Sequence, residues 1–132
     1  MKVFVDECVN RRFMRRLTGH DFVHISNTPL LSTKNGALLR AVAPHYDVFL
    51  TRDASIPFQQ NLKRFHLAFV IMRTRSNQLA HLLPLVPDLV AVLDLIATGG
   101  HAPGDLYEIA GSKPGWPEAS APPRRHGASS FA

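Results

Sequence analysis

The chain has 132 residues, 45% hydrophobic and 19% charged, which suits one globular domain with a sizeable core and excludes an intrinsically disordered chain. Its single cysteine, Cys8, excludes an intrachain disulfide and any multi-cysteine zinc site. The formal charge of +5 is unevenly spread: Arg11 to Arg75 holds eleven Lys and Arg against three Asp, whereas Ser76 to Gly111 holds four acids and no Lys or Arg.

Lys2 to Val5 reads as a short buried strand that ends at Asp6. The acidic pair Asp6-Glu7 stands where a signal peptide would continue its apolar stretch, so no secretion signal is expected. No apolar run is read as approaching the ~18 residues that span a bilayer, and a cytoplasmic location is expected. Cys8 to Leu17 places Cys8, Val9, Phe13 and Leu17 on one face with arginines between, the pattern of an amphipathic helix, and Gly19 stops it. Phe22, Val23 and Ile25 supply a second strand, followed by a loop from Asn27 to Asn35. Ala37 to Ala43 reads as a helix ended by Pro44, and Val48 to Thr51 as a third strand with Asp53 just past its end. Leu67 to Met72 is a continuous apolar run of the kind buried on both faces. Ser76 can cap a long helix reaching about Thr98, which Pro84 and Pro87 bend or split. Leu106 to Ala110 is a weak fifth strand after the Gly99-Gly100 break.

Strands alternating with helices imply right-handed crossovers and a mostly parallel sheet of about five strands, an α/β fold over residues 1–111. From Ser112 to Ala132 the chain turns rich in Pro, Gly, Ser and Ala and has no apolar period, so a disordered tail is expected there.

Open α/β sheets bind ligands beyond the carboxyl ends of their strands, where strand order reverses. Asp6-Glu7 follows the first strand and Arg52-Asp53 the third, so Asp6 and Asp53 face each other if those strands are neighbours. Two carboxylates brought together call for a proton or a cation between them, and a hard ion such as Mg²⁺ or Mn²⁺ accepts oxygen ligands and several waters. The plainer reading is that strand-end aspartates cap the helices that follow. The basic portion suits a polyanion such as RNA, with Arg11, Arg12, Arg15, Arg52, Arg73 and Arg75 as candidate phosphate contacts; a solvated basic surface is the plainer reading here as well. Cys8 lacks an accompanying histidine motif and reads as a small buried residue. Asn77 reads as a helix-initiating residue. Histidines show no paired ligand spacing, and no nucleotide-binding glycine motif is present.

VDE after the opening strand, KNGALL in the second helix, DVFLTRD, FQQNL and VIMRTRSNQL together resemble the PIN-like domains found as toxins of bacterial toxin–antitoxin pairs. The resemblance covers about Met1 to Ala110. It implies a PIN-like three-layer sandwich and a metal-dependent ribonuclease of the same broad class as the VapC-type toxins. It further implies Asp6 and Asp53 as ligands of Mg²⁺ or Mn²⁺, Glu7 as a third catalytic carboxylate, and an antitoxin as partner, with no membrane association; a homodimer is also compatible with it. The chain departs from the family pattern at Ala37, where relatives often read KNGELL, and at Ser55, where many carry a further acid. A non-catalytic PIN-like module that binds an antitoxin or RNA is therefore the alternative expectation.

Overall fold

Short apolar runs build a six-stranded sheet in the computed structural model, which describes residues 1–110 and the backbone of 124–126. Strands β1 (Lys2–Val5), β2 (Asp21–His24), β3 (Val48–Thr51), β4 (Ala68–Arg73) and β5 (Leu106–Ala110) are parallel, in the order β2-β1-β3-β4-β5. A short β6 (Arg124–His126) pairs antiparallel with the outer edge of β5. The rest of the tail expected from Ser112 onward lies outside the described residues.

Side chains alternate across the sheet because successive strand residues point to opposite faces. Val3, Val5, Val48, Leu50, Val70 and Met72 face one layer, and Phe4, Phe49, Phe69 and Ile71 face the other. The first layer holds helices α1 (Arg11–Met14), α4 (Leu79–Leu82) and α5 (Val86–Gly99), which insert Phe13, Leu82, Leu89, Val92, Leu93 and Ile96. The second holds α2 (Asn35–Val42) and α3 (Ile56–Gln59), which insert Leu38, Leu39, Val42 and Ile56. The chain is thus the three-layer α/β sandwich expected from its pattern. Each fully buried Val, Leu, Ile or Phe stabilises it by about 1.5–3 kcal/mol of removed apolar surface.

Several boundaries differ from the sequence reading, each for a local reason. The helix expected over Cys8 to Leu17 is only Arg11–Met14, because Asn10 Oδ1 accepts the Arg12 and Phe13 N–H groups at 2.8 and 3.2 Å and starts the helix there. The residues before it form a turn in which Val9 N–H donates to Asp6 O at 3.1 Å. The second strand stops at His24, whose buried ring accepts Ser26 N–H at 3.1 Å and opens a short 3₁₀ turn over Ile25–Asn27. Ser76 Oγ accepts Gln78 N–H at 3.1 Å before α4, and the prolines then divide the long helix, with a 3₁₀ turn over Leu83–Leu85 separating α4 from α5.

The expectation that no run is apolar enough to span a bilayer is corrected. Leu79–Gly99 forms 21 successive helical residues containing an 18-residue window of mean hydropathy 1.9, sufficient in length and composition. In the fold its Leu82, Leu85, Leu89, Val92 and Leu93 are fully buried as one wall of the core.

Candidate functional site

The strand order places the reversal between β1 and β3: the chain leaves β1 for β2 on one side and returns to β3 on the other. Asp6 and Asp53 follow the carboxyl ends of these two neighbours. Asp6 N–H donates to Leu50 O at 2.9 Å, which carries the ladder one residue past β1 and holds Asp6 at the crevice. Asp6, Glu7 and Asp53 line one cavity of about 240 Å³, together with Thr33, Lys34, Leu38, Leu39, Phe49 and Ile56. Residues leaving a strand normally alternate sides, so Asp6 and Glu7 reach the same cavity only because the chain turns there.

A buried hydroxyl ties the two aspartates together. Thr51 is fully buried; its Oγ1 donates to Asp6 Oδ2 at 2.8 Å and accepts Asp53 N–H at 3.0 Å. Asp6 Oδ1 accepts Glu7 N–H at 2.8 Å, so both oxygens of this carboxylate are held by protein donors. Asp53 Oδ1 accepts both the N–H and the hydroxyl of Ser55. Ser55 thus orients the Asp53 carboxylate. Ala37 is exposed on α2, outside the cavity lining but next to Leu38, which lines it.

Cys8 lies against this pair, with Sγ 3.3 Å from Thr51 Oγ1 and 3.5 Å from Asp6 Oδ2. Burial first, and the Asp6 carboxylate second, push its thiol above the usual range, so it stays protonated at neutral pH. That favours packing over nucleophilic chemistry, as the sequence suggested.

The donor set is two aspartates with carboxylate oxygens at one crevice and Glu7 at the same cavity. Among the described residues, no three His, Cys, Asp or Glu side chains gather as a metal-holding group. All-oxygen donors in so small a number fit a hydrated hard cation rather than a closed protein cage, since Mg²⁺ commonly keeps several waters and uses one or two carboxylates.

The six arginines singled out in the sequence are distributed over several surfaces. Arg52 is half-buried beside Cys8, where Nη1 donates to Cys8 O at 3.4 Å and Nε is buried without a partner. Arg73 is ion-paired with Glu108 at 3.2 Å. Arg75 is exposed, as are Arg11, Arg12 and Arg15, which belong to the α1 side of the sheet, opposite α2 and α3. Asn77 locks the start of α1: its Oδ1 accepts Asn10 N–H at 3.0 Å and its carbonyl accepts Asn10 Nδ2 at 2.9 Å. Sequence reasoning missed Thr51 and Lys34. The signal for Thr51 was a polar residue closing an otherwise apolar strand; Lys34 stood in the KNGALL segment and was counted only as bulk charge. Comparison with family models, with curated proteins and with solved structures returned no match to this chain.

Proposed function

We propose that this protein is a metal-dependent ribonuclease of the PIN-like type, the toxin of a toxin–antitoxin pair acting in the cytoplasm. The observation that carries the reading is the shared cavity of Asp6, Glu7 and Asp53 at the switch point of the sheet. Asp6 and Asp53 would hold Mg²⁺ or Mn²⁺, which supplies a lowered pKa for bound water and neutralises charge on the scissile phosphate. Thr51 fixes the Asp6 carboxylate, and Ser55 fixes that of Asp53. Glu7, at the cavity wall, would accept the proton of the attacking water as it adds to phosphorus, while the P–O bond to the ribose breaks and the leaving ribose oxygen takes a proton from solvent water. Lys34, which also lines the cavity, attracts the RNA phosphate into it.

The test is Mn²⁺-supported RNA cleavage together with growth arrest on expression. Asp6→Asn or Asp53→Asn abolishes both while the fold and antitoxin binding persist, and Glu7→Gln does less harm. In the wild type, Mn²⁺ broadens amide signals first over 5–8 and 52–54. If the Asp6→Asn/Asp53→Asn double variant arrests growth as well as wild type does, the nuclease reading fails. The non-catalytic antitoxin- or RNA-binding module, which the sparse acidic set favours, then takes its place.

A further inference from the structure

A groove leads away from the acidic cavity along α3 and the turn that follows it. One stretch, about 970 Å³, begins at Ala54 and Ser55, directly after Asp53, and passes Phe58, Gln60, Asn61 and Lys63, with the Arg73–Glu108 ion pair on its lining neutralised internally. A second, about 570 Å³, shares Gln60 and Asn61 and continues to Arg40, Arg64 and His66. Both lie within the ~300–1,000 Å³ of ordinary ligand sites. The junction is made over Gly36, where a Cβ would lie 3.1 Å from Gln60 Oε1 and 3.2 Å from Arg40 Nη1. Both side chains therefore close over the first turn of α2, the helix whose Leu38 lines the acidic cavity.

Two features of this groove lack an internal explanation. Phe58 is 89% exposed, although an aromatic side chain ordinarily stabilises a fold by leaving water. Arg40, Lys63 and Arg64 are exposed, and among the described residues none of them has a carboxylate within ion-pairing distance. We propose that Phe58, Gln60, Asn61, Arg40, Lys63 and Arg64 form a track for a single nucleic-acid strand leading to the acidic cavity. The proposal rests on the nucleic-acid reading of that cavity.

The chemistry selects this occupant. Cations along a groove hold phosphates, while an aromatic ring takes the face of a base, the combination used for single strands. A duplex hides its base faces in the stack, so Phe58 has nothing to engage there. A protein partner would require a contiguous apolar patch. Among the described residues the other exposed large hydrophobics are Leu31 and Leu95, and Leu95 lies on α5 in the opposite layer.

Binding of a fluorescein-labelled oligouridylate, followed by anisotropy in EDTA so that metal-supported cleavage is silent, tests the track. Phe58→Ala is expected to weaken binding about tenfold at every salt concentration, and Phe58→Trp to restore it. Arg40→Glu with Arg64→Glu weakens binding and flattens its salt dependence, by ~0.7 in the log–log slope for each lost phosphate contact. The complementary duplex is expected to bind without sensitivity to Phe58. Unchanged affinity in Phe58→Ala, equal rescue by Phe58→Leu and Phe58→Trp, or absent binding at low salt overturns the track. So does loss of a protein partner in Phe58→Ala with oligonucleotide binding intact. Cleavage that depends on Asp6 and Asp53 is measured separately, so failure of the track leaves the nuclease reading standing, and the converse holds.

Discussion

Replacing Thr51 by valine isolates the hydroxyl that joins the two aspartates, because the two side chains have nearly the same shape. Thr51 is fully buried, and its Oγ1 donates to Asp6 Oδ2 at 2.8 Å while accepting Asp53 N–H at 3.0 Å. On apolar burial alone, valine would stabilise the core by about 0.8 kcal/mol for the added methyl. Against that, a hydrogen bond to a charged group contributes ~1.5–3 kcal/mol, and an amide left without its acceptor costs ~1–3 kcal/mol. Partial hydration of the exposed Asp53 lowers the second figure, so the net loss is about 2 kcal/mol. Urea unfolding then shifts its midpoint down by roughly 1 M. Thr51→Ser keeps the hydroxyl and loses only a buried methyl, about 1 kcal/mol, so the stability order is wild type, serine, valine. A valine variant as stable as wild type, or more stable than the serine variant, would refute the bridging role. Mn²⁺ titration of the same variants adds a second readout, in which valine weakens binding and serine leaves it near wild type.

Other perturbations probe the frame around the site. Gly104 has φ +79°, and a Cβ there would lie 2.7 Å from Lys63 N and 2.8 Å from Leu62 C, both backbone atoms that cannot swing aside. Gly104→Ala is therefore expected to lower the melting temperature by roughly 8 °C or more, from at least about 2 kcal/mol of strain and displacement; an unchanged melting curve contradicts the close approach. The Cys8 thiol, pushed up by burial and by Asp6, holds little thiolate at about pH 8, so alkylation by iodoacetamide is slow and accelerates only as the pH rises further. Asp6→Asn removes the carboxylate that helps hold the thiol neutral and is expected to speed alkylation; equal rates in both proteins count against the Cys8–Asp6 contact. Ala37→Glu, one residue before Leu38 and three after Lys34, brings a carboxylate to the cavity mouth and is expected to tighten Mn²⁺ roughly tenfold. No gain in Mn²⁺ affinity would mean that this face of α2 does not reach the ion.

The sequence by itself determined the layered fold, because runs such as Leu67 to Met72 and Val48 to Leu50 are apolar at every position and only a sheet covered on both faces can bury them. It also determined where the candidate site lies, since Asp6 and Asp53 follow two such strands and the ends of parallel strands share one edge. Helix extents were less legible. Side chains decided them: Asn10 starts α1 late by capping it, and Asn77 holds Asn10 from 67 residues away, a contact no local pattern encodes. Only the tertiary structure decided that Asp6 and Glu7 face the same cavity, because a turn after β1 overrides strand alternation. Only it revealed Thr51 as the link between the aspartates, and the gathering of Arg40, Lys63 and Arg64 along the groove. Pairwise contacts between residues distant in sequence are fixed by packing, and one chain read in order carries its periods and its ends but not those distances.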